Sequence, residues 1–197
     1  MATYSRVFNF KPNVSGYSQT WKRQTSVFIP ENGLSHKDTK RTPLVTLTKL
    51  AVTMTVSPIS QKDNERLENV LRLVFTEDNG IVGVPLWFSL QQLSLNASTA
   101  STTITTGQGS ADEYANPAGG YRDLMINLGD YTYPFFSTVS AFSTGAFTLG
   151  SAPTMDFRIG TDVTPVVGMK VQSITKGRGN RYNTSGFSYT LTFEEID

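Results

Sequence analysis

Apolar and polar residues alternate with period two over two long stretches of this chain. Within Thr46–Val56, Leu50, Val52, Met54 and Val56 fall on one side and Thr53 and Thr55 on the other. That is the pattern of a strand with one buried face, and Ser57-Pro58 stops it. Near the other end, Phe187, Tyr189, Leu191 and Phe193 alternate with Ser188, Thr190 and Thr192. Shorter apolar runs stand between, at residues 70–75, 81–84, 87–90, 124–128, 134–139, 147–149, 157–159 and 169–174. Asn79-Gly80 offers a tight turn, and Pro85 marks an edge or a bulge. Residues 96–110 hold no charged or aromatic side chain and read as an exposed loop or a weak edge strand. Asn116-Pro117-Ala118-Gly119-Gly120 reads as another loop.

One segment argues for a helix. Leu67, Val70, Leu71 and Val74 sit at i, i+3, i+4 and i+7 within residues 61–75, and Asp63-Asn64-Glu65 could open it. The same residues also suit a loop followed by a strand at 70–75, and the two readings stand side by side. About eight to ten short strands, with turn signals about every 8–12 residues, predict an all-β chain. The expected fold is an antiparallel β-sandwich of jelly-roll form, a single domain over residues 43–197. Residues 1–42, punctuated by Pro12, Gly16, Pro30 and Gly33, read as an extended basic arm with a first strand.

Composition narrows the function. A chain of 197 residues with 12 Phe, 8 Tyr and 2 Trp can bury roughly 70% of its unfolded surface. There is no cysteine and only one histidine, which excludes disulfide scaffolds, thiol catalysis and multi-histidine metal sites. No metal and no cofactor are expected. No apolar run is long enough for a membrane-spanning helix, and no apolar core follows the N-terminus, so a cleaved export signal is not expected. The net charge is +1, yet residues 1–50 carry +6, residues 51–100 carry −2 and residues 101–150 carry −3. Such polarity suits a negatively charged partner or a neighbouring copy of the same chain. Serine and threonine together number 45, in keeping with many strands and turns.

No catalytic motif stands out. Ser35, His36 and Asp38 are too close in sequence to hydrogen-bond in series as a triad does. Asp112 with Glu113, or Asp156 with Asp162, could supply a glycosidase pair if a cleft held them about 5–10 Å apart; exposed charge is the simpler reading. Lys176-Gly177-Arg178-Gly179-Asn180-Arg181 is glycine-rich and basic, but no Gly-Lys-Ser/Thr and no helix follow it. It is either a solvated hairpin loop or three cations on a turn suited to phosphates. Tyr131-Thr132-Tyr133-Pro134-Phe135-Phe136 is the densest aromatic run. Alternation can bury half of it, so Tyr131, Tyr133, Phe135 and Phe136 are candidates for a subunit interface as well as for the chain's own core.

Lys22-Arg23, Lys37-Asp38-Thr39-Lys40-Arg41, the alternating strands and the Ser/Thr-rich loops together resemble the small coat proteins of non-enveloped icosahedral viruses. The resemblance lies in composition and layout over the whole chain, and no dense Arg/Lys run stands at the extreme N-terminus. It implies a non-enzymatic virion protein, made in a host cytoplasm, that assembles from many copies of itself and packages nucleic acid, expected to be single-stranded. Lys22, Arg23, Lys37, Lys40, Arg41, Lys176, Arg178 and Arg181 would then face the nucleic acid, with no membrane involved. The alternative is a receptor- or carbohydrate-binding sandwich of a phage tail or adhesin, stacking Trp21, Trp87, Tyr114 or Tyr121 on sugar rings.

Overall fold

The computed structural model describes residues 4–27, 43–107, 122–127, 134–143, 145–178 and 186–196. Their strands form two antiparallel sheets, an all-β sandwich with one helix. The order is β1 (Tyr17–Val27), β2 (Pro43–Val56), α1 (Gln61–Thr76), β3 (Ile81–Pro85), β4 (Gln91–Gln92), β5 (Thr103–Thr105), β6 (Asp123–Asn127), β7 (Phe135–Ser137), β8 (Val139–Ser143), β9 (Ala146–Leu149), β10 (Asp162–Arg178) and β11 (Phe187–Glu195).

β10 is the spine. Its residues 169–178 pair with β11 and its residues 162–166 with β6. Residues 166–170 also pair with β3, and 162–163 with β4. A strand has two edges, so β11 and β6 lie end to end along one and β3 and β4 end to end along the other. β2 continues the sheet from β11 and β1 from β2, while β7 flanks β6. β5, β9 and β8 make the smaller sheet.

Two apolar cores follow from this. Over the upper half, Leu50, Val52, Met54 and Val56 of β2, Leu191 and Phe193 of β11, and Val167, Met169 and Val171 of β10 meet Leu67, Leu71 and Val74 of α1. Over the lower half, Val163, Leu124, Ile126 and Phe135 meet Ile104, Val139, Phe147 and Leu149 of the small sheet, with Phe157 among them. The second layer is thus a helix over one half and a three-stranded sheet over the other. Among the described residues it is not the second four-stranded sheet that a jelly roll calls for.

Residues 70–75 belong to α1 and form no strand. Ser60 caps the helix, its hydroxyl accepting the Asp63 N–H at 3.1 Å, which satisfies one of the orphan donors of the first turn. Asn64, Leu67, Leu71 and Val74 then face inward, each buried apolar side chain contributing about 1.5–3 kcal/mol. Residues 87–90 form no strand either. Trp87–Ser89 is a 3-10 turn, because the Trp87 N–H goes to the Tyr17 hydroxyl at 3.1 Å and not to a neighbouring strand. Residues 157–159 contribute only a bridge, Phe157 to Ala97.

The first described residues are strapped into the fold. Val7 bridges Gly83 in parallel; the Phe8 N–H donates to the Gly83 carbonyl and the Gly83 N–H to the Arg6 carbonyl. Phe8 and Phe10 enter the upper core. The Tyr4 ring lies so close to Gly83 that a Cβ there would overlap it, a close approach that only glycine permits. Tyr4 donates to Asp123 at 2.5 Å, and Asn127 donates to Asn9 at 3.1 Å. Arg6 pairs with Glu77 and Asp78, placing a cation beside the carboxylates that follow the negative end of α1.

Candidate nucleic-acid and assembly surfaces

The structure divides the expected basic residues between two ends of the upper sheet. Lys22 and Arg23 lie on β1, where Lys22 is the register partner of Lys49 and Arg23 of Thr48. Lys176 pairs with Tyr189, and Tyr189 with Val56. Val56 and Lys49 are seven residues apart on β2, roughly 23 Å at the rise of a strand. Lys22 therefore shares a register position with Lys49 and not with Lys176. Lys37, Lys40, Arg41 and Arg181 lie outside the described residues, as do His36, Asp112, Glu113, Tyr114, Tyr121, Tyr131 and Tyr133.

Lys176 is already engaged within the chain. Its ammonium sits 2.6 Å from Glu68 Oε1 and 4.1 Å from the centre of the Phe187 ring. The Tyr189 hydroxyl lies 2.6 Å from the same Glu68 oxygen and 2.7 Å from Asn64 Oδ1. Lys176 and Tyr189 hold the Glu68 carboxyl below its ordinary range, and Glu68 raises Lys176 in turn. Burial raises the Tyr189 hydroxyl, which stays protonated as a donor. Arg178 is exposed at the end of β10.

The outer face of the same sheet, turned away from α1, is built of hydroxyls. Ser18, Thr53, Thr192 and Ser173 are consecutive register partners across four strands. Thr55, Thr190 and Thr175 form a second row, tied by a 3.2 Å contact between the Thr55 and Thr190 hydroxyls. Thr20, Ala51, Glu194 and Lys170 form a third, and the Lys22–Lys49 pair lies beyond it. Short hydroxyl side chains lose little rotamer freedom when covered and donate readily to phosphate oxygens. Period two placed these Ser and Thr residues on one face; which strands were neighbours was not legible.

The two described aromatic residues of the run, Phe135 and Phe136, divide as alternation requires. Phe135 is buried in the lower core, 6.2 Å from Phe157. Phe136 is 36% exposed and leans on Tyr4, with ring centres 5.5 Å apart. Of the other acidic candidates, Asp156 accepts the Thr99 N–H at 2.9 Å and Asp162 lies in the pairing of β10 with β4.

Where β6 and β11 abut, a buried ionic contact appears that no motif announced. Arg122 is 6% exposed, and its nearer terminal nitrogen is 3.5 Å from Glu195 Oε1. The other Glu195 oxygen accepts the Leu50 N–H at 3.0 Å, substituting for a strand that has ended. The guanidinium carbon lies 6.0 Å from the Trp21 ring, and Trp21 is 55% exposed. Burial lowers the pKa of Arg122. In sequence, Arg122 is merely the one cation of an acidic stretch.

No protein-family model matches this chain, and no curated protein matches it either.

Proposed function

We propose that the chain is a structural coat subunit, copies of which assemble into a shell that packages nucleic acid. One observation carries the reading. β1 and β2 run past the end of β11 as a ribbon of residues 21–27 and 43–50, and among the described residues no third strand backs it. A two-stranded ribbon alone is marginal in water, and its open edges are templates for another chain. A neighbouring copy supplies what is missing. The hydroxyl face, with Lys22 and Lys49 at register positions of the ribbon beyond it, supports a contact with phosphates that reads no bases.

The test is to shorten the ribbon. The Leu50 N–H points to Glu195, so Lys49 is the β2 residue whose N–H faces β1. Asn-Gly in place of residues 23–48 should therefore close a two-residue hairpin between Lys22 and Lys49. Wild-type protein is expected to give large particles by size-exclusion chromatography and negative-stain microscopy, and the shortened protein a folded monomer. Particles from both would remove the ribbon from assembly. For the second contact, Lys22→Ala with Lys49→Ala should flatten the salt dependence of single-strand binding by about one to two units. An unchanged slope would place the nucleic acid elsewhere.

A further inference from the structure

We propose that Trp21 and Arg122 form a socket for a second copy of this chain, which delivers a carboxylate to the guanidinium and covers the indole. This rests on the proposed assembly and gives it a point of contact.

Arg122 is too buried for its pairing. A guanidinium has five N–H donors in a fixed fork. Here its ionic partner is Glu195 at 3.5 Å, beyond the roughly 2.7–2.9 Å of a charge-assisted hydrogen bond, and one oxygen of that carboxylate is committed to Leu50. The Arg122 Nε is buried with no hydrogen-bond partner. Buried cations of this kind are retained where a planar anion completes the fork. Beside the guanidinium lies Trp21, a large apolar ring more than half exposed. Tryptophan and arginine side by side, one exposed and one half-satisfied, are the residue types that dominate interface energetics.

The occupant follows from charge and place. Trp21 stands where the ribbon leaves the body, so the socket is continuous with the element that lacks a backing strand. The chain offers complementary charge of its own, +6 over residues 1–50 and −3 over residues 101–150. A polynucleotide is the poorer fit, since one recessed guanidinium gives a chain of phosphates a single cation to contact.

The experiment compares full-length wild type, Trp21→Ala and Arg122→Gln by sedimentation over a range of concentrations, with thermal melts of each. Trp21→Ala should weaken association about tenfold or more while leaving Tm unchanged in dilute samples where both proteins are monomeric, because the ring is on the surface of the single chain. Arg122→Gln should weaken association and also move Tm, so Trp21→Ala is the deciding variant. Wild type that assembles while Trp21→Ala assembles equally well would overturn the socket and leave the assembly reading intact. Wild type that stays monomeric at every concentration would overturn both. If inorganic phosphate or a short oligonucleotide raises the wild-type Tm and Arg122→Gln abolishes that rise, the socket takes phosphate and the second-copy assignment fails.

Discussion

The upper and lower halves of the long sheet bury similar apolar rows under different covers. The upper half is closed by one contiguous amphipathic helix, Gln61–Thr76. The lower half is closed by three strands of three to five residues each, the β8–β9 hairpin joined by β5 from far upstream in the sequence. A helix supplies its inward side chains from a single local segment; the small sheet must assemble first from pieces that cannot hold alone. Both halves nevertheless depend on β10, which gives Val163 to one core and Val167, Met169 and Val171 to the other.

That shared strand makes the contrast testable. Phe193→Ala in the upper core and Phe157→Ala in the lower core, both fully buried, should each cost about 3–5 kcal/mol. Each should shift one common unfolding transition in calorimetry. Two separable transitions, each moved by only one substitution, would show that the halves unfold independently. Leu67→Ala, at the centre of the helical cover, should cost about 2–5 kcal/mol and lower the helical circular dichroism signal in step with global unfolding. Ser60→Ala should cost about 1 kcal/mol through the lost cap, measured by urea denaturation, and Ser60→Asp should largely retain it.

The smallest effect concerns pH. The Glu68 carboxyl is held low in the folded chain, so its contribution is present above its unfolded pKa of about 4.3 and is lost as pH falls through the lowered folded value. Glu68→Gln should lower Tm at pH 7 and make no difference in strong acid. Exposure of the pair keeps the shift small, and an equal shift at both pH values would assign the effect to something other than charge.

β2 and β11 were legible because one face of each stays polar. β10 was not, since Val163, Thr164, Pro165, Val166 and Val167 are all buried and a strand covered on both faces shows no alternation. Only its later part, 169–174, was visible as a separate run. The helix was ambiguous because residues 70–75 are apolar enough for either reading; Ser60 with Asp63 three residues on was the signal that favours the helix. Basic residues could be found by inspection, but the pairing of Lys176 with Glu68 bridges 108 positions. The burial of Arg122 arises from two strands abutting on a third, a relation no local pattern encodes.

Those abutting strands have a mechanical consequence. On one edge of β10 the joint between β6 and β11 falls at residues 167–168; on the other, the joint between β4 and β3 falls at 164–165. The Pro165 carbonyl accepts the Leu86 N–H, so the side on which this residue lacks its own N–H is the interrupted one. The two joints are offset, as courses are in brickwork, and no straight crack can cross the sheet without breaking a continuous ladder. A pull along the ribbon would load those ladders in shear, many hydrogen bonds at once. A chain pulled in this way would resist as one slab.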